Sequence, residues 1–289
     1  MLHQRYNLFE VIGQGRSGVV RRGYDHVLQR EVAVKTMADT PQARWEVQVL
    51  ASLKHPHIVE FYDVVIQGGK IHLVMELGLG GTARDRCLTL AELIEVGQQA
   101  GEALHYLHQQ GLVHCDIKPS HLAFSHAGTV KLVDFGTCAV VGGQAVGGTA
   151  RFMAPEVKSE PCAHPRLDVF GLGKTLLVLA KANRIGLPRR LKSCFSLAAS
   201  AAPEHRFQKM GEFLAVLDTG AGPGRKPYWR GAAAALLTLG LLVFGTAQEV
   251  YPALFTVLLG PGIVGWSALY SPLLALIALA VVIWPCLLI

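Results

Sequence analysis

Three glycines near the start of the chain have a spacing that suits nucleotide binding. Gly13, Gly15 and Gly18 form the pattern G-x-G-x-x-G-x-V, which ends at Val20. The same glycines would serve a dinucleotide fold or a plain β-turn, so the pattern alone is weak evidence. Here β-branched stretches lie on both sides of the loop, whereas a dinucleotide-binding loop opens a helix. The flanking strands therefore favour a flap whose backbone N–H groups cover nucleotide phosphates.

A lysine with a ready partner follows on the next predicted strand. Lys35 ends the stretch Val32-Ala33-Val34-Lys35 and would be a solvated edge residue if it had no partner. Glu46 lies in the helix predicted after this strand and carries the opposite charge. An ion pair between Lys35 and Glu46 would hold the ammonium group over the α- and β-phosphates of ATP. Taken singly, each of these features is as compatible with a structural role as with a chemical one.

Three further motifs follow in a fixed order along the chain. They are His114-Cys115-Asp116-Ile117-Lys118-Pro119-Ser120-His121, Asp134-Phe135-Gly136 and Ala154-Pro155-Glu156. With these motifs in this order, the sequence resembles the eukaryotic-like (Hanks-type) serine/threonine protein kinases over roughly residues 6–218. The resemblance implies an α+β class and a bilobal protein-kinase fold, with a small β-rich N-lobe and a mainly helical C-lobe.

The resemblance also implies roles for individual positions. Asp116 looks like the catalytic base that accepts the proton of the substrate hydroxyl, and Lys118 would neutralise the transferring phosphate. Asp134 would hold Mg²⁺ that bridges the phosphates of ATP. Lys35 resembles the ATP-orienting lysine, with Glu46 as its helix partner. The remaining nucleotide-binding positions that the resemblance implies are Gly13, Gly15, Gly18, Val20, Ala33, Met75, Glu76 and Leu77, of which the last three belong to a hinge that contacts adenine.

The class of substrate and two scaffold roles are implied in the same way. Lys118-Pro119 differs from the form of this loop in tyrosine kinases, and Gly148-Thr149 precedes Ala154. Both features favour protein substrates that are phosphorylated on serine or threonine. Asp168 resembles the structural aspartate of the central C-lobe helix, and Arg206 the partner of Glu156.

Two positions depart from the family pattern. Cys115 stands where many members have an arginine that pairs with a phosphorylated activation loop, so we expect a loop that phosphorylation does not gate. His121 stands where the family has the asparagine that binds the second Mg²⁺, and imidazole is a poorer ligand than an amide oxygen for this hard cation. The metal-binding set expected here is Asp134 with His121. Two alternatives stay open: Asp134 alone retains one metal, or Mn²⁺ works better than Mg²⁺.

A second interpretation of the function follows from these departures. The stretch from Asp168 to Arg206 is shorter than the resemblance implies, so substrate capture would rely on the membrane or on a partner. A shortened C-lobe and His121 would suit a catalytically impaired pseudokinase that acts as a nucleotide-binding scaffold at the membrane. Retention of the other motif residues favours an active kinase.

Strands and helices that could position these side chains can be read from periodicity and turn signals. Alternating, β-branched stretches predict strands over residues 8–12, 19–22 and 31–35, and two more over 58–65 and 70–76 around Gly68-Gly69. A helix is predicted after residue 38, with Thr40 as its N-cap and Pro41 at its first position. A capping box at Thr89 begins a long buried helix that ends at Gly111. Short strands are predicted over 113–114, 121–125 and 129–133, and the chain is helical again from Leu167.

The C-terminal end of the sequence differs in composition from the rest. The chain has 289 residues, of which 51% are hydrophobic and 17% are charged. Residues 231–289 contain one formal charge, Glu249, which resembles a loop residue. A helix that rises about 1.5 Å per residue would cross a hydrocarbon core of about 30 Å more than once over this length. Breaks at Pro252, Gly260-Pro261-Gly262 and Ser271-Pro272 leave two or three spans open, and a transporter is disfavoured by the lack of intramembrane ionisable residues.

Residues before the apolar end predict its orientation. Arg225, Lys226 and Arg230 lie next to Tyr228 and Trp229, which matches the positive-inside rule and the aromatic belt of membrane proteins. The expected organisation is a kinase domain over 1–218 (N-lobe 1–77, C-lobe 78–218), a basic juxtamembrane linker over 219–230 and transmembrane helices over 231–289. We therefore expect a bacterial-type, multi-pass protein of the plasma or inner membrane whose kinase domain is cytoplasmic. The lipid bilayer is an expected partner and nucleic acid is not, because no stacking or groove-reading motif is present.

The six cysteines have no C-x-x-C pair and are expected to be reduced thiols.

Overall fold

The computed structural model describes residues 2–15, 17–78, 80–145 and 147–218. The predicted juxtamembrane linker at 219–230 and the predicted transmembrane region at 231–289 lie outside the described residues. Within the described ranges, no helix combines the length and the apolar character that crossing a bilayer requires. Every residue that the sequence predicts to do chemistry lies within these ranges.

The N-terminal part is an antiparallel sheet of five strands. The order across the sheet is β1-β2-β3-β5-β4, so the third strand is central and its neighbours are the second and the fifth. A short helix, α1 (Leu2–Arg5), precedes the sheet. The strands are β1 (Tyr6–Gly15), β2 (Gly18–Asp25), β3 (Arg30–Ala38), β4 (Phe61–Gln67) and β5 (Lys70–Met75).

The central strand β3 is buried on both faces, and this fixes its register. Successive side chains of a strand project to opposite faces. Val32 and Val34 therefore pack with Tyr6 in a small cluster on one face of the sheet. Ala33 and Met37 join the main core on the other face. Because a slip of one residue would exchange the two faces, this packing specifies the face on which Lys35 lies.

The helix α2 (Pro41–Ser52) begins where the sequence predicts. The Thr40 hydroxyl accepts a hydrogen bond of 3.2 Å from the Ala43 N–H, and Pro41 occupies the first position of the helix. Proline is favoured there because the N–H that it lacks would have no partner within the helix. The buried face of α2 includes Glu46, which a helix of ordinary amphipathic pattern would expose.

The C-terminal part is mainly helical. Its longest helix has the predicted capping box, in which the Glu92 N–H donates to the Thr89 hydroxyl and the Glu92 carboxylate accepts from the Thr89 N–H. Single 3₁₀ turns cover Pro119–His121, Pro155–Lys158 and Pro203–His205. The helices are α3 (Leu90–Gln109), α4 (Pro165–Ala182), α5 (Arg189–Ala198) and α6 (Met210–Asp218).

Two small hairpin-like pairs lie between α3 and α4 and carry the segments that hold the predicted motifs. One pair is β6 (Leu112–Val113) with β9 (Ala139–Val140), and the other is β7 (Leu122–Phe124) with β8 (Val130–Leu132). The sheet-rich N-terminal part and the helical C-terminal part give the α+β architecture that the sequence predicts.

The prediction of a strand over 58–65 is wrong at its start, because β4 begins only at Phe61. The Val59 N–H donates to the Leu132 carbonyl at 3.0 Å, and the Leu132 N–H donates to the His57 carbonyl at 2.8 Å. This stretch therefore pairs with β8 of the C-terminal part before the chain enters the N-terminal sheet.

Candidate active site

Lys35 and Glu46 form the predicted ion pair. Lys35 Nζ lies 2.6 Å from Glu46 Oε1 and 2.8 Å from Asp134 Oδ1. Burial opposes the charged form of Lys35, but the two carboxylates outweigh it and raise the pKa of the ammonium above its usual value. The ammonium is therefore charged in a buried position that suits contact with phosphate oxygens.

The glycine-rich loop connects β1 to β2, and its glycines meet different constraints. Gly13 pairs with Val20, and Gly15 pairs with Gly18. Gly18 has a φ of +146°, and a Cβ at this position would collide with the Thr36 carbonyl oxygen. Among the described residues, no heavy atom lies within 4 Å of a Cβ built on Gly15. The hairpin itself thus requires Gly18, while Gly15 leaves space for a ligand to approach the backbone.

Three apolar residues of the predicted nucleotide site lie on the same face of the sheet as Lys35. Val20 is opposite Lys35 in the pairing of β2 with β3, and Met75 is opposite Ala33 in the pairing of β3 with β5. Directly opposite residues of an antiparallel pair project from one face, and so do Ala33 and Lys35, which are two apart on one strand. The structure therefore brings this part of the predicted set together.

The predicted hinge residue Glu76 has a scaffold role as well. Its backbone N–H donates to the Glu60 carbonyl at 2.9 Å, and its carboxylate lies 2.8 Å from Lys131 Nζ. This N–H is therefore committed within the protein, and a contact between the hinge and adenine would use other backbone groups of Glu76 and Leu77. The Lys131 contact joins the end of β5 to β8.

Asp116, Lys118 and Thr149 form one hydrogen-bonded group. Lys118 Nζ donates to Asp116 Oδ2 at 2.7 Å and to the Thr149 hydroxyl at 2.8 Å. The Thr149 N–H donates to Asp116 Oδ1 at 2.7 Å. Burial raises the pKa of Asp116, but the hydrogen bond from Lys118 and the charges of His121 and Lys118 outweigh this effect and leave the pKa below its usual value. Asp116 is therefore an ionised carboxylate with a fixed orientation.

The loop that carries Asp116 is held in an unusual backbone conformation by a buried carboxylate. Cys115 has a φ of +67°, which non-glycine residues seldom adopt. Asp168 Oδ2 accepts a hydrogen bond of 2.8 Å from the His114 N–H, and its Oδ1 accepts one of 2.9 Å from the Cys115 N–H. These bonds account for the scaffold role that the sequence predicts for Asp168, since they offset the strain next to the catalytic loop.

His121 lies between Asp116 and Asp134. It ends the 3₁₀ turn Pro119–His121, so the strand predicted from residue 121 begins one residue later. His121 is 7% exposed. Its Nδ1 donates to the Asp116 carbonyl oxygen at 2.8 Å, and its Nε2 is 3.2 Å from Asp134 Oδ2. Burial raises the pKa of Asp134, but the hydrogen bond from His121 and the charge of Lys35 outweigh it and hold this pKa far below its usual value.

Side chains of α2 hold the segment that follows Asp134. Gln42 Nε2 donates to the Gly136 carbonyl at 2.6 Å, and the Trp45 indole N–H donates to the Cys138 carbonyl at 2.7 Å. From the other side, the Thr137 hydroxyl donates to the His114 carbonyl at 2.9 Å. The segment is therefore fixed to the same helix that presents Glu46.

Two further contacts hold described parts of the activation segment, the stretch from Asp134 to Glu156. β9 pairs with β6, and the Glu156 carboxylate accepts hydrogen bonds of 2.6 and 2.8 Å from Arg206, as predicted. Burial raises the pKa of the Cys115 and Cys138 thiols, and both thiols are free. These two residues are therefore protonated, small and apolar components of the core rather than reactive thiolates.

The oxygen and nitrogen donors at Asp134 and His121 are compatible with one divalent cation. Among the described residues, no group of three or more His, Cys, Asp and Glu side chains is arranged to hold a metal ion by itself. Cations at phosphate-transfer sites commonly take one or two protein ligands and complete their coordination with phosphate oxygens and water. The carboxylate suits Mg²⁺, and the imidazole suits a softer ion such as Mn²⁺.

Gln42 and Trp45 were not predicted to contribute to the site. Their contacts reach residues more than ninety positions further along the chain, and no local pattern reports such a contact. The one available signal was their position, because Trp45 precedes Glu46 and Gln42 lies one helical turn before it.

Comparisons with known proteins agree with this geometry. The sequence profile described as "Protein kinase domain" matches residues 6–190. The chain is 31% identical over 216 residues to serine/threonine-protein kinase PAK 1 of Mus musculus, a match that covers 70% of this chain and 40% of that protein. It is 34% identical over 214 residues to serine/threonine-protein kinase MST20 of Pyricularia oryzae, where the match covers 69% of this chain and 23% of the relative. The chain thus spans less than half the length of these relatives.

Proposed function

The chain belongs to the protein kinase family, and we propose that it transfers the γ-phosphate of ATP to serine and threonine side chains of proteins. One observation carries the proposal: Glu46, Lys35, Asp134, His121 and Asp116 form an unbroken series of polar contacts of 2.6 to 3.2 Å. Kinase chemistry depends on positioning and on stabilising charge, and this series links the predicted phosphate-binding group to the predicted base. The relatives named as serine/threonine-protein kinases support the choice of hydroxyl.

In the proposed reaction, the substrate hydroxyl oxygen bonds to the γ-phosphorus of ATP while the bond from that phosphorus to the β–γ bridging oxygen breaks. Asp116 accepts the hydroxyl proton, and ADP leaves. The hydrogen bonds from Lys118 and Thr149 orient the Asp116 carboxylate before substrate arrives. With a pKa below the usual aspartate value, the carboxylate carries no proton at neutral pH when the substrate arrives.

Two lysines would face the phosphate groups. Lys35 would contact the α- and β-phosphates, with Glu46 holding it in place. Lys118 lies beside Asp116 and would neutralise charge on the transferring group. A bound divalent cation, Mg²⁺ or Mn²⁺, would be held by Asp134 and His121 and would supply positive charge next to the phosphates.

The first test is phosphate transfer from radiolabelled ATP by the full-length chain in detergent, with Mg²⁺ and with Mn²⁺, to itself and to a generic basic protein. We expect transfer in the wild type. Asp116→Asn should lower the rate by about 10²- to 10⁴-fold and leave nucleotide binding intact, because it removes the proton acceptor and keeps the size of the side chain. Asp218→Asn, on the exposed end of α6 and outside the site, serves as the matched control and should keep the wild-type rate.

The same experiment tests the second candidate, a catalytically impaired scaffold. The observation that favours the scaffold is the contact of His121 with the Asp134 carboxylate. A metal ion would need this carboxylate as a ligand. A folded protein that binds ATP and transfers no phosphate with either metal would replace the kinase proposal with the scaffold. Transfer that persists in Asp116→Asn would contradict the assignment of the base.

We also propose that the kinase domain is tethered to the cell membrane by residues 231–289 and faces the cytoplasm. The support is the sequence: one formal charge in this stretch, and Arg225, Lys226 and Arg230 next to Trp229 immediately before it. Tethering would concentrate the kinase with substrates at the bilayer surface.

A further inference from the structure

The end of α4 and the start of α5 together form a basic surface on the C-terminal part. Residues 169–203 contain six Lys and Arg residues and no Asp or Glu. Only residues 183–188 separate the two helices, so the last turn of α4 lies close to the first turn of α5. Four cations of this region are exposed to solvent, and we call them the basic face: Lys181, Arg184, Arg189 and Lys192.

No carboxylate of the described ranges neutralises the basic face. None of its four side chains forms an ion pair with a described residue. The acidic groups of the neighbouring helices have other hydrogen-bond partners. The Glu92 carboxylate accepts from the Thr89 N–H at 2.8 Å. The Asp218 carboxylate accepts from Gln98 Nε2 at 2.8 Å. The charge of the basic face is therefore uncompensated.

The cations on α5 do not stabilise the helix that carries them. Arg189 and Lys192 lie in the first four positions of α5, where there is no acidic residue and where Pro188 gives no side-chain cap. The helix dipole places partial positive charge at this end, so cations are disfavoured there and anions are favoured. The stability of the fold thus gives no reason for these charges, and a contact with an external anion does.

The basic face lies next to the end of the described chain. Arg190 Nη2 donates to the Val216 carbonyl at 3.3 Å, which joins the start of α5 to the last turns of α6. Residues 219–230 separate Asp218 from the apolar stretch, and a chain of this length spans at most about 40 Å. A bilayer entered at residue 231 is therefore within reach of the basic face.

We propose that the basic face binds the anionic phospholipid headgroups of the membrane to which the chain is tethered. The inference rests on the proposed tether, which supplies the bilayer, and adds a second contact to it. Cations are attracted to an anionic leaflet within a Debye length of about 8 Å. Because the tether keeps the concentration of this surface high near the protein, four charges suffice for a contact that free vesicles would bind weakly.

The test is acetylation of lysine side chains in the full-length protein, incorporated in nanodiscs of phosphatidylcholine or of phosphatidylcholine mixed with phosphatidylglycerol. Neither lipid has an amine, and mass spectrometry gives the rate at each lysine. We expect Lys181 and Lys192 to react at least about threefold more slowly in the anionic nanodiscs, because a surface potential of about −30 mV raises the local proton concentration by this factor and lowers the fraction of neutral amine. The exposed Lys54 and Lys70 are internal controls and should react equally in both.

A pair of double variants tests whether the basic face itself makes the contact. Arg184→Gln with Arg189→Gln removes two of its charges, keeps both reporter lysines and should abolish most of the difference between the two lipids. Arg21→Gln with Arg84→Gln removes two exposed arginines from other surfaces and should leave the difference unchanged. The comparison of lipids in the wild type needs no variant, so it remains decisive if a double variant folds poorly.

The outcomes separate the three proposals. Lys226 precedes the apolar stretch and reports the tether. If it is slowed by anionic lipid while Lys181 and Lys192 are not, the lipid contact is overturned, the tether stands, and an acidic protein surface becomes the partner that the basic face fits. Failure of the chain to enter nanodiscs overturns the contact and the tether together. Phosphate transfer in the same nanodiscs decides the kinase function alone, because no residue of the basic face belongs to the active site.

Discussion

Single glycines of the β1–β2 loop illustrate how a residue can serve the fold or the ligand. Gly18 is needed because its backbone conformation and the nearby Thr36 carbonyl exclude a Cβ. We expect Gly18→Ala to lower the free energy of unfolding by about 1–3 kcal/mol, the usual cost of a side chain in a disfavoured φ region. Thermal unfolding of the purified protein measures this change.

Gly15→Ala is the matched comparison, because a Cβ there meets no heavy atom of the described residues within 4 Å. This variant should keep the wild-type unfolding temperature and bind ATP several-fold more weakly, since the methyl group would obstruct approach to the loop backbone. Equal stability of the two alanine variants would contradict the different roles assigned to Gly18 and Gly15.

Residues of the site were predictable from sequence where a side chain acts within a short motif. Asp116 and Lys118 are two residues apart, and their hydrogen bond is a consequence of one loop conformation. Lys35 and Glu46 belong to adjacent elements, so their ion pair needed only the correct helix face. The contacts of Gln42 and Trp45 were not predictable, because they depend on how α2 packs against a segment that is distant in sequence.

At the scale of elements, side-chain contacts of α2 hold the start of the activation segment. The Trp45 indole N–H donates to the Cys138 carbonyl at 2.7 Å. Trp45→Phe keeps a ring and removes the donor. A hydrogen bond contributes about 0.5–1.5 kcal/mol net, so the KM for ATP should rise about two- to tenfold through weaker placement of Glu46. Steady-state kinetics at varied ATP concentration measure this effect.

Two further variants on the same helix separate this coupling from a general loss of stability. Gln42→Ala removes the bond to Gly136 and should also raise the KM and increase hydrogen exchange of the backbone after Asp134. Gln48→Ala, an exposed glutamine one turn beyond Trp45, should leave both unchanged. Equal effects of the two glutamine substitutions would show that the contacts of α2 do not control the segment.

Element type was predictable where local signals agree, and boundaries were not where pairing is distant. Thr40 and Pro41 determine the start of α2 through groups within one helical turn. Residues 58–59 have strand-like side chains, but their backbone groups pair with β8, which no local pattern reports. The same applies to β9, whose two residues form a strand only through pairing with β6.

At the scale of the whole molecule, the site joins the sheet-rich part to the helical part. Lys35 and Glu46 come from the first, and Asp116, His121 and Asp134 from the second. The ion pair of Lys35 with Asp134 spans ninety-nine positions. An assembled site therefore depends on the packing of both parts, and its geometry could be expected from the family resemblance but not from any single segment.

The proposed membrane tether is also a property of the whole chain, and it makes a simple physical prediction. A stretch with one formal charge, over a length sufficient for more than one crossing, has no polar face with which to remain in water. The full-length protein should sediment with membranes and resist extraction by alkaline carbonate, which removes proteins bound only at the surface. A chain that ends at Asp218 should remain in the supernatant and keep its affinity for ATP.

In inside-out vesicles, protease should reach the kinase domain, because Arg225, Lys226 and Arg230 favour a cytoplasmic side for the residues before the first span. Recovery of the full-length protein in the carbonate supernatant would contradict the tether while leaving the chemistry of the site untouched.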